Sequence, residues 1–313
     1  MKELRIELPD GFLESEMRVG YYVSAEMKKV WAVELDLLYV FSEVCKKFGL
    51  KWFVHAGTLL GAIRHHGFIP WDDDVDVVMP RKDYEVLCKL AKSEFSFPYF
   101  LQNEDSDPYF GKCYSKLINL QTTCIEEYDK LLPSHHCIFI DVFPYDYVPD
   151  EEGERERQFE LLTSYFEKAR EYRNLIYAFT PKKNRGFVKR VKHFAKHVVG
   201  KYFFKCKYDY REYLQKHLEL VTKYNGQETE CKGEIIIPPL GRHIWKNEWI
   251  ESVTYMPFEM LEVPVPMEFE HCLAAAYGKD WRNPKQMSSM HSGMTYDADH
   301  SYKEFMQIKK GKA

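Results

Sequence analysis

Four carboxylates fall within five residues, Asp72, Asp73, Asp74 and Asp76. They stand between an apolar turn, Phe68-Ile69-Pro70-Trp71, and the apolar residues Val75, Val77, Val78 and Met79. No other stretch constrains the fold as tightly. Like charges at this spacing repel, and taking them out of water costs free energy. The apolar flanks nevertheless hold the segment at the edge of a core. Asp74 and Asp76 alternate with Val75 and Val77. On a strand, residues two apart share a face, so both carboxylates project together while the valines turn inward. Two carboxylates on one side of a strand edge make a seat for a hard cation. A charged turn ahead of a strand is the plainer alternative. Asp72, two before Asp74, joins the pair if the chain is already extended there, whereas Asp73 is expected to face solvent.

A further carboxylate interrupts a second apolar run, Ile138-Phe139-Ile140-Asp141-Val142-Phe143. An isolated ionised Asp in such a strand is expensive to bury. A cation shared with Asp74 and Asp76 satisfies it, as does an arginine or a place at the strand end. Upstream, Gly57-Thr58 opens a turn into a short helix reaching about His65. A glycine there lets a ligand approach the backbone, and a helix N-terminus offers free N–H groups and a positive dipole end to an anion. Together, a phosphate-gripping turn, a D-x-D strand and a lone Asp on a later strand describe two-metal phosphoryl transfer.

The surrounding pattern is α+β. Apolar residues recur with a helical period from Ser24 to Phe48, and Gly49 stops the helix. Strands are predicted at Lys51–His55, Val75–Met79, Cys113–Asn119 and Cys137–Phe143, with a helix from Arg81 to about Ser93. From Asp150 to about Tyr224 the pattern is helical. Lys182 to Lys207 carries ten Lys or Arg and no Asp or Glu, with Phe187, Val191, Phe194, Ala195, Val198, Val199 and Tyr202 on one helical face. Such a basic amphipathic helix packs that face on the core, or meets an anionic surface such as lipid headgroups. The last third mixes short strands with a helix near Glu268 to Tyr277. The expected division is a catalytic core at 1–150, a helical, partly basic insertion at 151–230, and a region at 231–313 completing the same domain.

Composition narrows the function. A net charge of −4 excludes a general nucleic-acid binder. Aromatic residues make up 16% of the chain, enough for an aromatic-rich core or a stacking surface. The eight cysteines are scattered without a CxxC pair, as expected of buried thiols in a reducing cytosol. The N-terminal MKELRIELPDGF has no apolar signal core, and no run of about 18 apolar residues occurs. The paired histidines, His65-His66 and His135-His136, do not predict zinc, because neighbours on a strand point opposite ways and no Cys stands at ligand spacing.

The stretch Gly57-Thr58-Leu59-Leu60-Gly61, Arg64, and Gly67 through Asp76 resembles the signature of the LicD family. Tyr114-Ser115-Lys116-Leu117 with Thr122-Thr123 resembles that family's next block, and Ile140-Asp141-Val142-Phe143-Pro144 with Asp146 the one after. Phe258-Glu259, Val263-Pro264-Val265-Pro266 and Tyr277-Gly278-Lys279-Asp280 resemble its C-terminal block. These pieces span about Leu37 to Pro284, and 151–224 carries no matching motif. LicD proteins are phosphocholine transferases of bacterial surface polysaccharides, related to fukutin and fukutin-related protein.

The resemblance implies a nucleotidyltransferase core of the DNA polymerase beta type, a mixed sheet with flanking helices, plus a helical insertion and a C-terminal region. It implies transfer of a phospho-alcohol from a CDP-alcohol, CDP-choline foremost, to a glycan or lipid-linked glycan hydroxyl, with release of CMP. Two Mg²⁺ or Mn²⁺ ions are expected on Asp74, Asp76 and Asp141, with Asp72 as a further ligand. Gly57 and Thr58 are expected on the phosphates, with Arg64 and Lys116 neutralising charge unless they are a helix cap and an exposed strand residue. Asp141 doubles as general base, or serves as ligand only. Trp71 offers an aromatic face to a quaternary ammonium, or packs the turn. The implied setting is cytoplasmic, at the inner membrane face where 182–207 would touch lipid.

Three rivals differ in product or geometry. A D-x-D glycosyltransferase would release a nucleoside diphosphate. A haloacid-dehalogenase-type phosphatase needs its Asp at the end of a strand, whereas here the acids precede it. A binding module that has lost catalysis would bind CDP-choline without metal and release no CMP.

Overall fold

The computed structural model describes residues 3–126, 132, 134–178, 209–237, 243–286 and 294–311. The basic stretch 182–207 lies outside the described residues. The protein is α+β, built on a mixed sheet. Helix α1, Ala25–Phe48, starts where the Ser24 side chain accepts from Met27 N–H and stops at Gly49, whose φ of 66° is left-handed. It is buried on nearly all sides, and Lys28, Glu34 and Asp36 are buried with its apolar residues.

After two short strands, β1 (Glu16–Arg18) and β2 (Tyr21–Val23), the sheet is assembled from β3 (Phe53–Val54), β4 (Asp76–Pro80), β5 (Tyr99–Gln102), β6 (Ser115–Asn119) and β8 (Phe139–Val148). Strand β7, Thr123–Ile125, pairs apart from it. The strand predicted at Lys51–His55 shrinks to β3, because His55 already caps the next helix. Strand β8 is the spine. It runs parallel to β4 and antiparallel to β6, and its last three residues pair with β9, Cys231–Gly233. Strand β9 in turn pairs with β10, Ile244–Lys246. Residues far along the chain thus complete the same sheet.

The two faces of the sheet differ. Tyr84, on helix α3 (Arg81–Glu94), shares a 2.7 Å hydrogen bond with Ser115 of β6, and Tyr99 of β5 donates at 2.7 Å to Asp36 of α1. Tyr99 is the register partner of Asn119, which lies on the same face as Ser115. Both helices therefore cover one face. The opposite face carries a polar row. Asp76 pairs with Asp141, Asp141 with Lys116, and Lys116 with Gln102. On the far side His55 N–H donates to the Asp76 carbonyl at 2.9 Å.

The remaining elements are α4 (Glu152–Ala178), α5 (Tyr210–Val221), α6 (Asn247–Ile250), α7 (Phe269–Tyr277), α8 (Tyr302–Gly311), the hairpin β11–β12 (Val253–Phe258, Leu261–Pro266) and β13 (Thr295–Asp297). Strand β13 pairs with β7 and carries Tyr296 to the acidic segment. Among the described residues no helix is long and apolar enough to cross a membrane.

Candidate active site

The sheet register makes the site. Register partners on adjacent strands point to one face, so Asp76 and Asp141 project side by side from β4 and β8. Asp74 precedes β4, and oxygens of Asp74, Asp76 and Asp141 all lie within 4.8 Å of one another. The valines between them, Val75 and Val77, are fully buried, as alternation requires. Asp74 also belongs to a second group, with Asp72 and Asp73, at the same spacing. The carboxylates form one continuous string.

Burial, then the charges of Asp74 and Asp141, raise the Asp76 pKa well above the ordinary carboxylate value. Glu34 adds a carboxylate from below. It is 2% exposed, its Oε2 is buried without a hydrogen-bond partner, and burial followed by Asp74, Asp73 and Asp72 raises its pKa strongly. So much negative charge in so little water is stable only beside a cation or with protons retained.

Lys116 is the buried cation of the row. Its Nζ lies 2.6 Å from Glu126, 3.7 Å from Asp141 and 3.1 Å above the Phe139 ring. Burial opposes its charge, but Asp141 and Glu126 outweigh burial and raise its pKa. Lys116 is thus buried, not an exposed strand residue, and the neighbour of Asp141 is a lysine where an arginine was the alternative.

Gly57 and Thr58 lie within the first turn of helix α2, Ala56–His65, one step later than a turn before the helix. The cap residue, His55, makes no side-chain capping bond. A Cβ on Gly57 would stand 2.5 Å from Asp72 Oδ2, so only glycine lets that carboxylate approach the helix N-terminus. Buried Thr58 accepts from Asp76 N–H at 2.9 Å, pinning α2 to β4, while its hydroxyl retains a hydrogen to donate.

Arg64 is at the last turn of α2, donating to the Trp281 carbonyl at 2.8 Å and to His65 Nε2 at 2.9 Å. Burial lowers its pKa. Trp71 is partly buried, edge-on to Tyr21 and His65 at 6.0 and 6.5 Å.

Asp73 departs from expectation. It is buried, not solvated, because the Tyr296 hydroxyl donates to its Oδ2 at 2.9 Å. Glu34 and Tyr296 were invisible to local pattern. The trace of Glu34 in the sequence is a charge, with Asp36 two residues on, inside a largely apolar helical segment.

With this geometry in view, residues 49–158 match the model of the LicD/FKTN/FKRP nucleotidyltransferase domain. Over that segment the chain is similar to the LicD family. The lipopolysaccharide cholinephosphotransferase LicD of Haemophilus influenzae is 34% identical over 118 residues, which are 37% of this chain and 43% of that protein. An uncharacterized protein of Rickettsia typhi is 34% identical over 77 residues, 23% of this chain and 25% of its own length. One from Rickettsia prowazekii is 46% identical over 41 residues, 13% of this chain and 15% of its own. The chain thus spans less than half the length of the curated relatives it matches. The matched segment contains β3, β4, β6, β8 and every carboxylate of the string except Glu34.

Proposed function

We propose that this protein transfers a phospho-alcohol, phosphocholine first, from a CDP-alcohol to a hydroxyl of a surface glycan or its precursor, releasing CMP. The observation that carries this reading is the parallel pairing of Asp76 with Asp141, with Asp74 within 4.8 Å of both. A relative named as a lipopolysaccharide cholinephosphotransferase supports the choice of alcohol and acceptor class. The sheet, with helices on one face and acids on the other, is read as a polymerase-beta-type core spanning 1–150. Residues 151–230 are read as an insertion and 231–313 as completing the domain, in keeping with the β9–β8 and β13–β7 pairings.

The donor set fits Mg²⁺ or Mn²⁺, since it is made of carboxylate oxygens alone, and burial together with the neighbouring carboxylates raises the Asp76 pKa well above the ordinary value. Asp74, Asp76 and Asp141 would hold two such ions, with Asp72 beside them. When bound, the ions neutralise charge on the diphosphate.

The chain's own residues do the rest. The first-turn N–H groups of α2 and the Thr58 hydroxyl face incoming phosphate oxygens, and Asp72 beside Gly57 ensures that phosphate is accepted only together with cations. Lys116 fixes Asp141 from the side away from Asp76 and adds positive charge. Arg64 supports the site from the C-terminal end of α2, and Trp71 supplies an aromatic face near the acids. The acceptor oxygen bonds to the distal phosphorus, the bridging P–O bond breaks with CMP leaving, and the hydroxyl proton passes to a carboxylate, Asp141 in this reading.

The test is incubation with a panel of CDP-alcohols and Mn²⁺, with products read by mass spectrometry. CMP should form with at least one donor, and Asp74→Ala should lower its rate more than about 100-fold. A nucleoside diphosphate product, or no turnover of any donor, would refute the reading.

A further inference from the structure

A second cluster of donor atoms lies on the same sheet face as the carboxylates and differs from them chemically. His55, Glu234 and His243 come from three separate places. His55 caps α2, Glu234 follows β9, and His243 precedes β10. They are 3%, 1% and 2% exposed. One ligand atom from each lies within 4.8 Å of the others. The two imidazoles are 4.3 Å apart between centroids and cross at 83°, so they do not stack.

Backbone bonds hold each donor in place. Glu234 N–H donates to the His243 carbonyl at 3.1 Å, continuing the β9–β10 ladder, and His55 N–H donates to Asp76. Glu234 Oε1 accepts from the N–H groups of Ile236 and Ile237 at 2.7 and 3.2 Å, which fixes the carboxylate and leaves its other oxygen for a ligand. Phe143 and Trp245 close an apolar wall around His55, with ring centroids 6.3 and 5.3 Å away. Anchored donors inside an apolar shell are how proteins build metal centres.

Two imidazole nitrogens and one carboxylate oxygen suit a borderline ion, zinc above all, whereas Mg²⁺ prefers the all-oxygen string next door. We propose that His55, Glu234 and His243 bind one zinc-class transition-metal ion, separate from the carboxylate site, that ties the N-terminus of α2 to the β9–β10 ladder. The ion fixes the turn carrying Gly57 and Thr58, and these three ligands leave one position for water. Adjacent-histidine spacing could not reveal the site, because its ligands meet only through the sheet. The inference stands independently of phosphotransfer.

The experiment uses the full chain. Purified protein is dialysed against zinc-free buffer containing excess Mg²⁺, and bound zinc is measured by mass spectrometry. The stripped protein is then titrated with Co²⁺ and followed by visible absorption. Wild type should retain one zinc per chain and develop the d–d bands of low-coordinate Co²⁺. Both signals should persist in Asp74→Asn/Asp76→Asn and vanish in Glu234→Gln/His243→Ala. His243→Cys, which keeps a ligand, should retain the ion and add a thiolate-to-metal charge-transfer band. Absence of zinc and of Co²⁺ bands in folded wild type would overturn the proposal without any variant. So would undiminished binding in Glu234→Gln/His243→Ala, whether or not CMP is formed from a CDP-alcohol.

Discussion

Replacing Asp76 by Asn should make the cation-free protein more stable and the cation-loaded protein less so. Oxygens of Asp76 lie within 4.8 Å of those of Asp74 and Asp141. At an effective dielectric constant of about 20, two unit charges at that distance repel by roughly 3 kcal/mol. Two such repulsions act on Asp76. Burial and these neighbouring charges both push its pKa up, so protons retained at Asp76 relieve part of the repulsion. Asn removes the charge, keeps the shape, and leaves the backbone bond to Thr58 in place. The remaining gain without divalent ions is on the order of 2 kcal/mol, a rise of a few degrees in melting temperature. Saturating cation reverses the order. At one hundred times its dissociation constant an ion adds about 2.7 kcal/mol to the state that binds it, and Asp76→Asn has lost a ligand. Thermal melts of both proteins in chelator and in Mn²⁺ read this directly. The curves should cross, with the variant higher in chelator and lower in Mn²⁺. A variant that melts lower in both, or a parallel shift of both proteins with Mn²⁺, would refute the electrostatic argument.

Two further outcomes follow from buried groups away from the acids. Arg81 holds Asp146, whose side chain is 1% exposed, through bonds of 2.9 and 2.6 Å, so Arg81→Met should cost about 3–5 kcal/mol in urea unfolding. Adding Asp146→Asn should recover most of that loss, and an unchanged urea midpoint in Arg81→Met would contradict the pairing. Burial pushes the His217 pKa down to about 4, where the unfolded value is near 6.5. The unfolded chain binds the proton more readily, so His217 contributes stability that is full above pH about 6.5 and is lost as pH falls towards about 4. Acid titration of stability should show a slope over that window that is shallower in His217→Gln; identical slopes would contradict it.

Much of this site could be read before any coordinates. Ser24 and Gly49 mark helix ends because an N-cap hydroxyl and a left-handed stop are local chemistry. The alternation of Asp74 and Asp76 with buried valines is likewise local, and a single charge in the apolar run at Asp141 announced that it needed a partner. That β4 and β8 are neighbours, with Asp76 opposite Asp141, is a fact of topology that no local window contains. The same limit explains the departures. Asp73 is buried because a tyrosine on β13 reaches it, and Asp36 is tolerated inside α1 because Tyr99 and the Arg5 N–H meet it. Helical periodicity treats such positions as solvent-facing. The start of α2 came one residue early because His55 lacks a capping side-chain bond and so leaves no signal.

Three carboxylates, from the lead-in to β4 and from β4 and β8 themselves, share divalent ions in the proposed reaction. The most direct measurement is anomalous diffraction from a crystal soaked in Mn²⁺, with data collected on both sides of the manganese edge. A peak within coordination distance of Asp74, Asp76 and Asp141 together is the predicted result. Manganese bound elsewhere, or held without Asp141, would contradict it.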